Sequence, residues 1–118
     1  MTKRQTEFLW REEKYRVMFY SQRHYNLIRQ AMRDQMPHEE IKQLITEALT
    51  CTPTSGSMQN ACQHMWGYFK KFATAKEKQH FLQLQEARNF QQVLHFLKKL
   101  ADDYEVTYLI ESRLLSNC

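Results

Sequence analysis

Apolar residues recur along this chain at spacings of three and four, which is the period of an α-helix and not that of a strand. The clearest stripe consists of Ile41, Leu44, Ile45 and Leu49, at i, i+3, i+4 and i+8. Only two glycines and two prolines occur among the 118 residues, too few for the turns of a β-sheet protein. The sequence therefore predicts an all-α fold.

The length suits one domain, and no segment resembles a flexible linker, so we predict a single helical domain over residues 1–118. The stripes and their breaks indicate a bundle of six or seven short helices. The fourth, over about residues 57–72, is apolar around most of its circumference and carries no charge before Lys70. A helix of that kind is usually enclosed by others. We therefore predict that it is the buried central helix.

A narrow polar line nevertheless runs along this fourth helix. Asn60, His64, Gly67 and Lys71 follow one another at spacings of four, three and four, which places them on one side. In one interpretation, Asn60 and His64 are core residues hydrogen-bonded to neighbouring helices, with Gly67 permitting close packing. In the other, the line borders a pocket in which His64 contacts a ligand or moves a proton. Both interpretations remain open at this stage.

The same segment carries a family resemblance. The run from Asn60 to Lys71 resembles the motif N-x-x-x-H-x-x-G-Y-F, followed by lysine or arginine, of the YbgA-like family of bacterial and archaeal domains of unknown function. Lys14, Ser21 and Tyr25 are similar to that family's K-x6-S-x3-Y segment. The resemblance covers most of the chain.

YbgA-like domains occur alone or fused to domains similar to thiouracil desulfidases, so the resemblance implies a role near nucleobases, nucleotides or RNA. The family pattern has histidines where this chain has Tyr20 and Met58. Of three histidines that could form a cluster, only His64 remains, which favours a binding or structural role over a histidine metal site or shared family chemistry. The chain has no iron–sulfur cysteine pattern.

The net charge of +4 is concentrated near the N-terminus. Residues 1–35 contain eight Lys or Arg and four acidic residues, whereas residues 36–118 contain nine of each. A basic segment of this kind can contact nucleic acid or an acidic partner, although it is more often an ordinary solvated helix face.

The three cysteines are Cys51, Cys62 and Cys118, an odd number without a C-x-x-C pair. With no apolar signal-peptide core at the N-terminus, this usage predicts free thiols in a reducing, cytoplasmic protein. No segment is apolar enough to predict a membrane span. We predict no metal site, because Cys62 and His64 point to different sides of a helix and the other histidines lack ligand spacing. No cofactor motif is present.

These observations favour a non-enzymatic helical binding or accessory module for a nucleotide, an RNA or a protein partner. In this hypothesis Asn60 and His64 form directional hydrogen bonds, Lys14 contacts an anion, and Tyr25 and Tyr68 form apolar walls. One alternative is a small enzyme acting on a nucleobase-like substrate, with His64 as general acid or base. Another is a protein-interaction or inhibitor protein that acts as an oligomer such as a homodimer, for which exposed Phe8, Trp10 or Phe19 would be the sign.

Overall fold

Eight helices follow one another along residues 3–117, the part of the chain that the computed structural model describes. They are α1 (Lys3–Tyr20), α2 (Gln22–Arg33), α3 (His38–Ala48), α4 (Ser55–Trp66), α5 (Ala75–Glu86), α6 (Phe90–Asp103), α7 (Thr107–Ile110) and α8 (Arg113–Ser116). The predicted all-α fold is confirmed. The count exceeds six or seven because the C-terminal segment forms two four-residue helices instead of one. Residues 1, 2 and 118, including Cys118, lie outside the described part.

Side-chain caps fix where several of these helices begin. The Ser21 hydroxyl accepts a hydrogen bond from the backbone N–H of His24 and so caps α2. Thr54 and Ser57 form a reciprocal capping box at the start of α4, and Thr74 and Glu77 form another at α5. Each box satisfies backbone N–H groups that the first helical turn leaves unpaired.

The central position in the bundle belongs to α1. One of its sides contributes Tyr15, Met18 and Phe19 to a large hydrophobic cluster shared with α4, α6, α7 and α8. Its other side contributes Val17 to a smaller cluster that contains Ile28 of α2 together with buried residues of α3. An α-helix that packs apolar residues on two sides must be enclosed by neighbours, and α1 meets that condition.

The structure therefore differs from the prediction that the fourth helix is the buried central helix. Its inner side is buried through Ala61, Cys62, Met65 and Trp66, but its outer side, including His64, is exposed. α4 thus packs against α1 and α6, and its Trp66 stacks on Phe81 of α5, while its outer side faces solvent. No helix within residues 3–117 is both long enough and apolar enough to cross a membrane.

The fourth helix also ends at Trp66 instead of near residue 72. After Trp66 the backbone changes from i→i+4 to i→i+3 hydrogen bonds: the Tyr68 N–H donates to the Met65 carbonyl at 3.2 Å, and the Phe69 N–H to the Trp66 carbonyl at 2.9 Å. This tighter winding carries Phe69 into the large cluster, where it is fully buried. The residues of the family motif therefore continue past the helix into a series of turns.

Replacing Ser57 by alanine is expected to lower the free energy of unfolding by about 1–3 kcal/mol. The Ser57 hydroxyl donates to the Phe19 carbonyl at 2.8 Å and accepts from the Thr54 N–H at 3.0 Å, so the change leaves a carbonyl at the end of α1 and an N–H at the start of α4 unpaired. Urea unfolding measures the difference. Ser55→Ala, at an exposed position of the same helical turn, is the matched control; equal losses in the two variants would contradict this role for Ser57.

Candidate functional site

Three tyrosines from distant parts of the chain meet beside α1. Tyr15 of α1 is buried, and its hydroxyl lies 2.9 Å from the hydroxyl of Tyr68, which follows α4. The ring of Tyr68 stacks on the ring of Tyr108 in α7 at 5.9 Å between centroids, with 21° between their planes. Tyr15 meets both rings edge-on at 6.3 Å. Tyr15, Tyr68 and Tyr108 form what we call the tyrosine cluster.

Two cationic side chains of α1 lie against the tyrosine cluster. The Lys14 ammonium is 5.4 Å from the Tyr15 ring centroid and 5.6 Å from that of Tyr108, and the Arg11 guanidinium is 4.9 Å from the Tyr108 centroid. Arg11 also pairs with the Glu111 carboxylate at 3.4 Å. Within residues 3–117 Lys14 has no carboxylate partner. Of the two cations, Lys14 is therefore the one whose charge remains available to an anionic ligand.

Burial is the main reason that the pKa of Tyr15 is raised above its ordinary value of about 10, because the phenolate would lose its water. The hydrogen bond to Tyr68 and the proximity of Tyr68, Tyr108 and Tyr25 raise this pKa further. Tyr25 therefore lies close enough to act on the Tyr15 hydroxyl, while its ring also packs on Trp10 at 5.7 Å. The structure thus gathers Lys14, Tyr25 and Tyr68 around one buried phenol.

The raised pKa of Tyr15 predicts a loss of stability in alkaline solution. Below pH about 10 the phenol is neutral in both the folded and the unfolded chain, so it adds no pH dependence. Above this pH the unfolded chain releases the proton while the folded chain keeps it, and the free energy of unfolding falls by about 1.4 kcal/mol per pH unit. Urea unfolding between pH 8 and about 11.5 should show this additional slope in the wild type and not in Tyr15→Phe. If the free energy of unfolding of the two proteins fell in parallel with pH, the burial of this hydroxyl would be contradicted.

Asn60 lies apart from the tyrosine cluster, at a groove between α2 and α4. It is half-buried, and its amide donates a hydrogen bond to the Gln22 side chain. The groove has a volume of about 560 Å³ and is bordered by Ser21, Gln22, Cys51 and Asn60, among others. Asn60 therefore holds the side chain of Gln22 at the start of α2 and forms part of a polar groove wall.

His64 lies on the surface, one helical turn after Asn60 and before the turn that carries Tyr68. It is exposed and forms no side-chain hydrogen bond with the rest of residues 3–117, so it is not a core residue. Gly67 is also exposed, and a Cβ atom there would lie 3.1 Å from the His64 carbonyl oxygen. The close contact at Gly67 is therefore with the last turn of α4, where the winding tightens. It is not with the backbone of another helix.

At the edge of the groove, Cys51 of its wall meets a residue behind it, a pair that the sequence did not indicate. The Sγ of Cys51 lies 3.8 Å from Nδ1 of His24, a residue 27 positions earlier in the chain. No spacing pattern links the two, because they meet only when the end of α3 packs against the start of α2. In the part of the chain that the structure describes, no three His, Cys, Asp or Glu side chains are grouped as metal ligands would be.

Taken together, the features define a small all-α domain with a cation-flanked tyrosine cluster on one side of its central helix. The chain belongs to the family described as "Protein of unknown function (DUF1722)", whose family model matches residues 14–117. This is the YbgA-like family that the motif around Asn60 and Tyr68 indicates. No match was found among curated proteins or among solved structures.

Proposed function

We propose that this protein is a non-enzymatic binding domain for a nucleotide or a single-stranded RNA. The observation that carries the proposal is the stacked, half-buried pair of Tyr68 and Tyr108 beside the unpaired ammonium of Lys14. A nucleotide offers a flat base and a phosphate, and this pair offers an aromatic surface and a cation at the same place.

The energetics of stacking make the tyrosines the main contributors. A base that stacks on an aromatic side chain contributes about 1–3 kcal/mol, and the interaction tolerates every base because each has a π-face. A cation without an internal partner gains more from a phosphate than one already neutralised, as Arg11 is by Glu111. Asn60 at the groove and His64 on the surface of α4 lie outside the tyrosine cluster, where they offer hydrogen-bonding groups to a longer ligand.

The outer face of α2 adds positive charge. Arg23, Arg29 and Arg33 are exposed, and none of them forms an ion pair with an acidic side chain of residues 3–117. Unpaired arginines are suited to contacts with a phosphate backbone, since each presents several N–H donors. This favours an oligonucleotide over a single nucleotide.

The test is fluorescence anisotropy with a labelled oligouridylate of about 12 nucleotides, a length within the usual site size of single-strand binders. Binding is expected to weaken with salt, with log K falling by about 0.7 for each phosphate contact against log salt concentration. No binding at low salt, or an affinity that does not change with salt, would overturn the proposal. The expected setting is cytoplasmic, which is consistent with Cys51 and Cys62 being thiols that are not joined in a disulfide.

A protein partner is the second candidate, favoured by one observation. Phe8 of α1 is 53% exposed, whereas Trp10 is half-buried and Phe19 is buried. An exposed phenylalanine on the central helix would be covered if a partner or a second copy of the chain packed there. Sedimentation analysis with and without the oligonucleotide separates the candidates: a stable dimer that ignores the oligonucleotide supports this second role.

A further inference from the structure

The groove between α2 and α4 contains a thiol beside a base. Cys51 is half-exposed at the groove wall, and its Sγ lies 3.8 Å from Nδ1 of His24. His24 is buried, with only 6% of its surface exposed. Cys62, by contrast, is completely buried in the large cluster. Of these two thiols, only Cys51 can meet a dissolved reagent.

The hydrogen bonds around His24 fix its ring and define the path of a proton. The Ser21 hydroxyl accepts the His24 backbone N–H at 3.2 Å and lies 2.8 Å from Nδ1, to which it donates its own proton in the tautomer that carries the ring hydrogen on Nε2. Nδ1 is then an acceptor that also faces the Cys51 thiol. When the thiol proton moves to Nδ1, the Ser21 hydroxyl rotates its hydrogen away and its oxygen accepts the new N–H. The imidazole can therefore hold the proton without moving.

Two neighbours of the Cys51 sulfur can accept a hydrogen bond from its thiol. One is Nδ1 of the His24 imidazole, which can also take the proton itself. The competing contact of the thiol is with the Glu47 carbonyl, also at 3.8 Å, which can accept the thiol hydrogen but cannot remove it. Among the contacts of the thiol within residues 3–117, His24 is thus the only one that can act as a base.

We propose that Cys51, assisted by His24, is a nucleophilic thiol that exchanges with small disulfides entering this groove. His24 takes the thiol proton, the Cys51 sulfur attacks one sulfur of the disulfide, and a new S–S bond forms as the old one breaks. The departing sulfur leaves as a thiolate and receives the proton from His24. The products are a mixed disulfide on Cys51 and one free small thiol, so that atoms and electrons balance.

The groove limits which disulfides fit. Its volume of about 560 Å³ lies within the usual range for small-molecule sites. Hydroxyl and amide groups of Thr52, Thr54 and Asn60 line it, and among the described residues no charged side chain lines it. A neutral, polar disulfide of low molecular weight suits this lining better than a strongly charged one.

The test is the rate at which each cysteine of the full chain reacts with 4,4′-dithiodipyridine at neutral pH, followed by quenching, digestion and mass spectrometry. Cys51 in the folded protein is expected to react at least about ten times faster than Cys51 in the urea-unfolded chain, while Cys62 reacts only after unfolding. His24→Asn should remove that excess, because the asparagine oxygen still accepts hydrogen bonds from Ser21 and Cys51 but is not a base.

Two results would overturn the proposal. One is a folded-state rate for Cys51 equal to or below the unfolded-state rate, which needs no variant and would show that the groove does not activate the thiol. The other is an excess rate that persists in His24→Asn, which would assign the activation to something other than this histidine. Circular dichroism verifies that the variant is folded; His24→Gln replaces it if helicity is lost.

Discussion

Phe69→Ala is expected to lower the free energy of unfolding by about 3–5 kcal/mol, the usual range for removing a fully buried phenylalanine. None of the Phe69 side chain is exposed. Its ring packs among those of Trp66, Phe72 and Tyr104, at centroid distances of 6.1 to 6.3 Å. These neighbours come from α4, from the turns after it and from the end of α6, so a cavity at Phe69 would loosen three segments at once. Since small domains have only about 5–15 kcal/mol of stability, this loss would be severe.

Phe8→Ala provides the matched control for Phe69→Ala. It removes the same atoms from a side chain that is 53% exposed, so little buried contact is lost and the change should stay below about 1 kcal/mol. Urea unfolding monitored by circular dichroism compares both variants with the wild type. If the two variants lost similar stability, the burial of Phe69 and the tight turns that produce it would be contradicted.

Local patterns predicted the fold class well, because a helix reveals its period over ten residues. The stripe of α3 is an example: Ile41 and Ile45 are buried in the smaller cluster, and Leu44 and Leu49 pack against it. The capping box at Thr74 and Glu77 is a second local signal that the structure contains. Such features depend on residues close in sequence, so they can be recognised without knowing the neighbours in space.

The identity of the central helix could not be predicted in the same way. In the sequence both α1 and α4 are apolar on more than one side, but long polar residues interrupt the apolar pattern of α1 more often than that of α4. Glu13, for example, is buried and pairs with Arg16 at 2.8 Å. In a sequence such residues indicate an exposed face, whereas in the structure Glu13 is buried beside Arg16. The more uniformly apolar sequence of α4 therefore led to the prediction that α4 is the central helix, a position that α1 occupies in the structure.

The candidate site was predicted only in part, for a similar reason. Lys14, Tyr25 and Tyr68 do meet around Tyr15, and the family motif contains them. Asn60 instead borders the groove, and His64 lies on the surface between the two places. The separation arises because the helix ends at Trp66, which redirects Tyr68 away from the line through Asn60 and His64. A three-to-four spacing cannot indicate where a helix changes its winding.

Tyr68→Ala is expected to weaken oligonucleotide binding by about 1–3 kcal/mol, which corresponds to roughly five- to 150-fold in affinity. The change removes one of the two stacked rings and leaves Tyr108 alone on the surface. Tyr68→Phe is the matched control, since it keeps the ring and loses only the hydroxyl that meets Tyr15. If stacking is the source of affinity, the phenylalanine variant binds like the wild type. Equal weakening in both variants would assign the role to the hydroxyl or to the fold instead.

Lys14→Met tests the electrostatic half of the same site. Methionine retains the length and apolar stem of the side chain but removes its charge, so the plot of log K against log salt concentration should become shallower by about 0.7 for one lost phosphate contact. Lys42→Met, on the exposed face of α3, removes the same charge away from the tyrosine cluster. A long-range effect of net charge would act similarly in both variants, whereas a direct contact changes only the first. The difference between the two slopes therefore separates a binding site at Lys14 from the general attraction of a basic protein for nucleic acid.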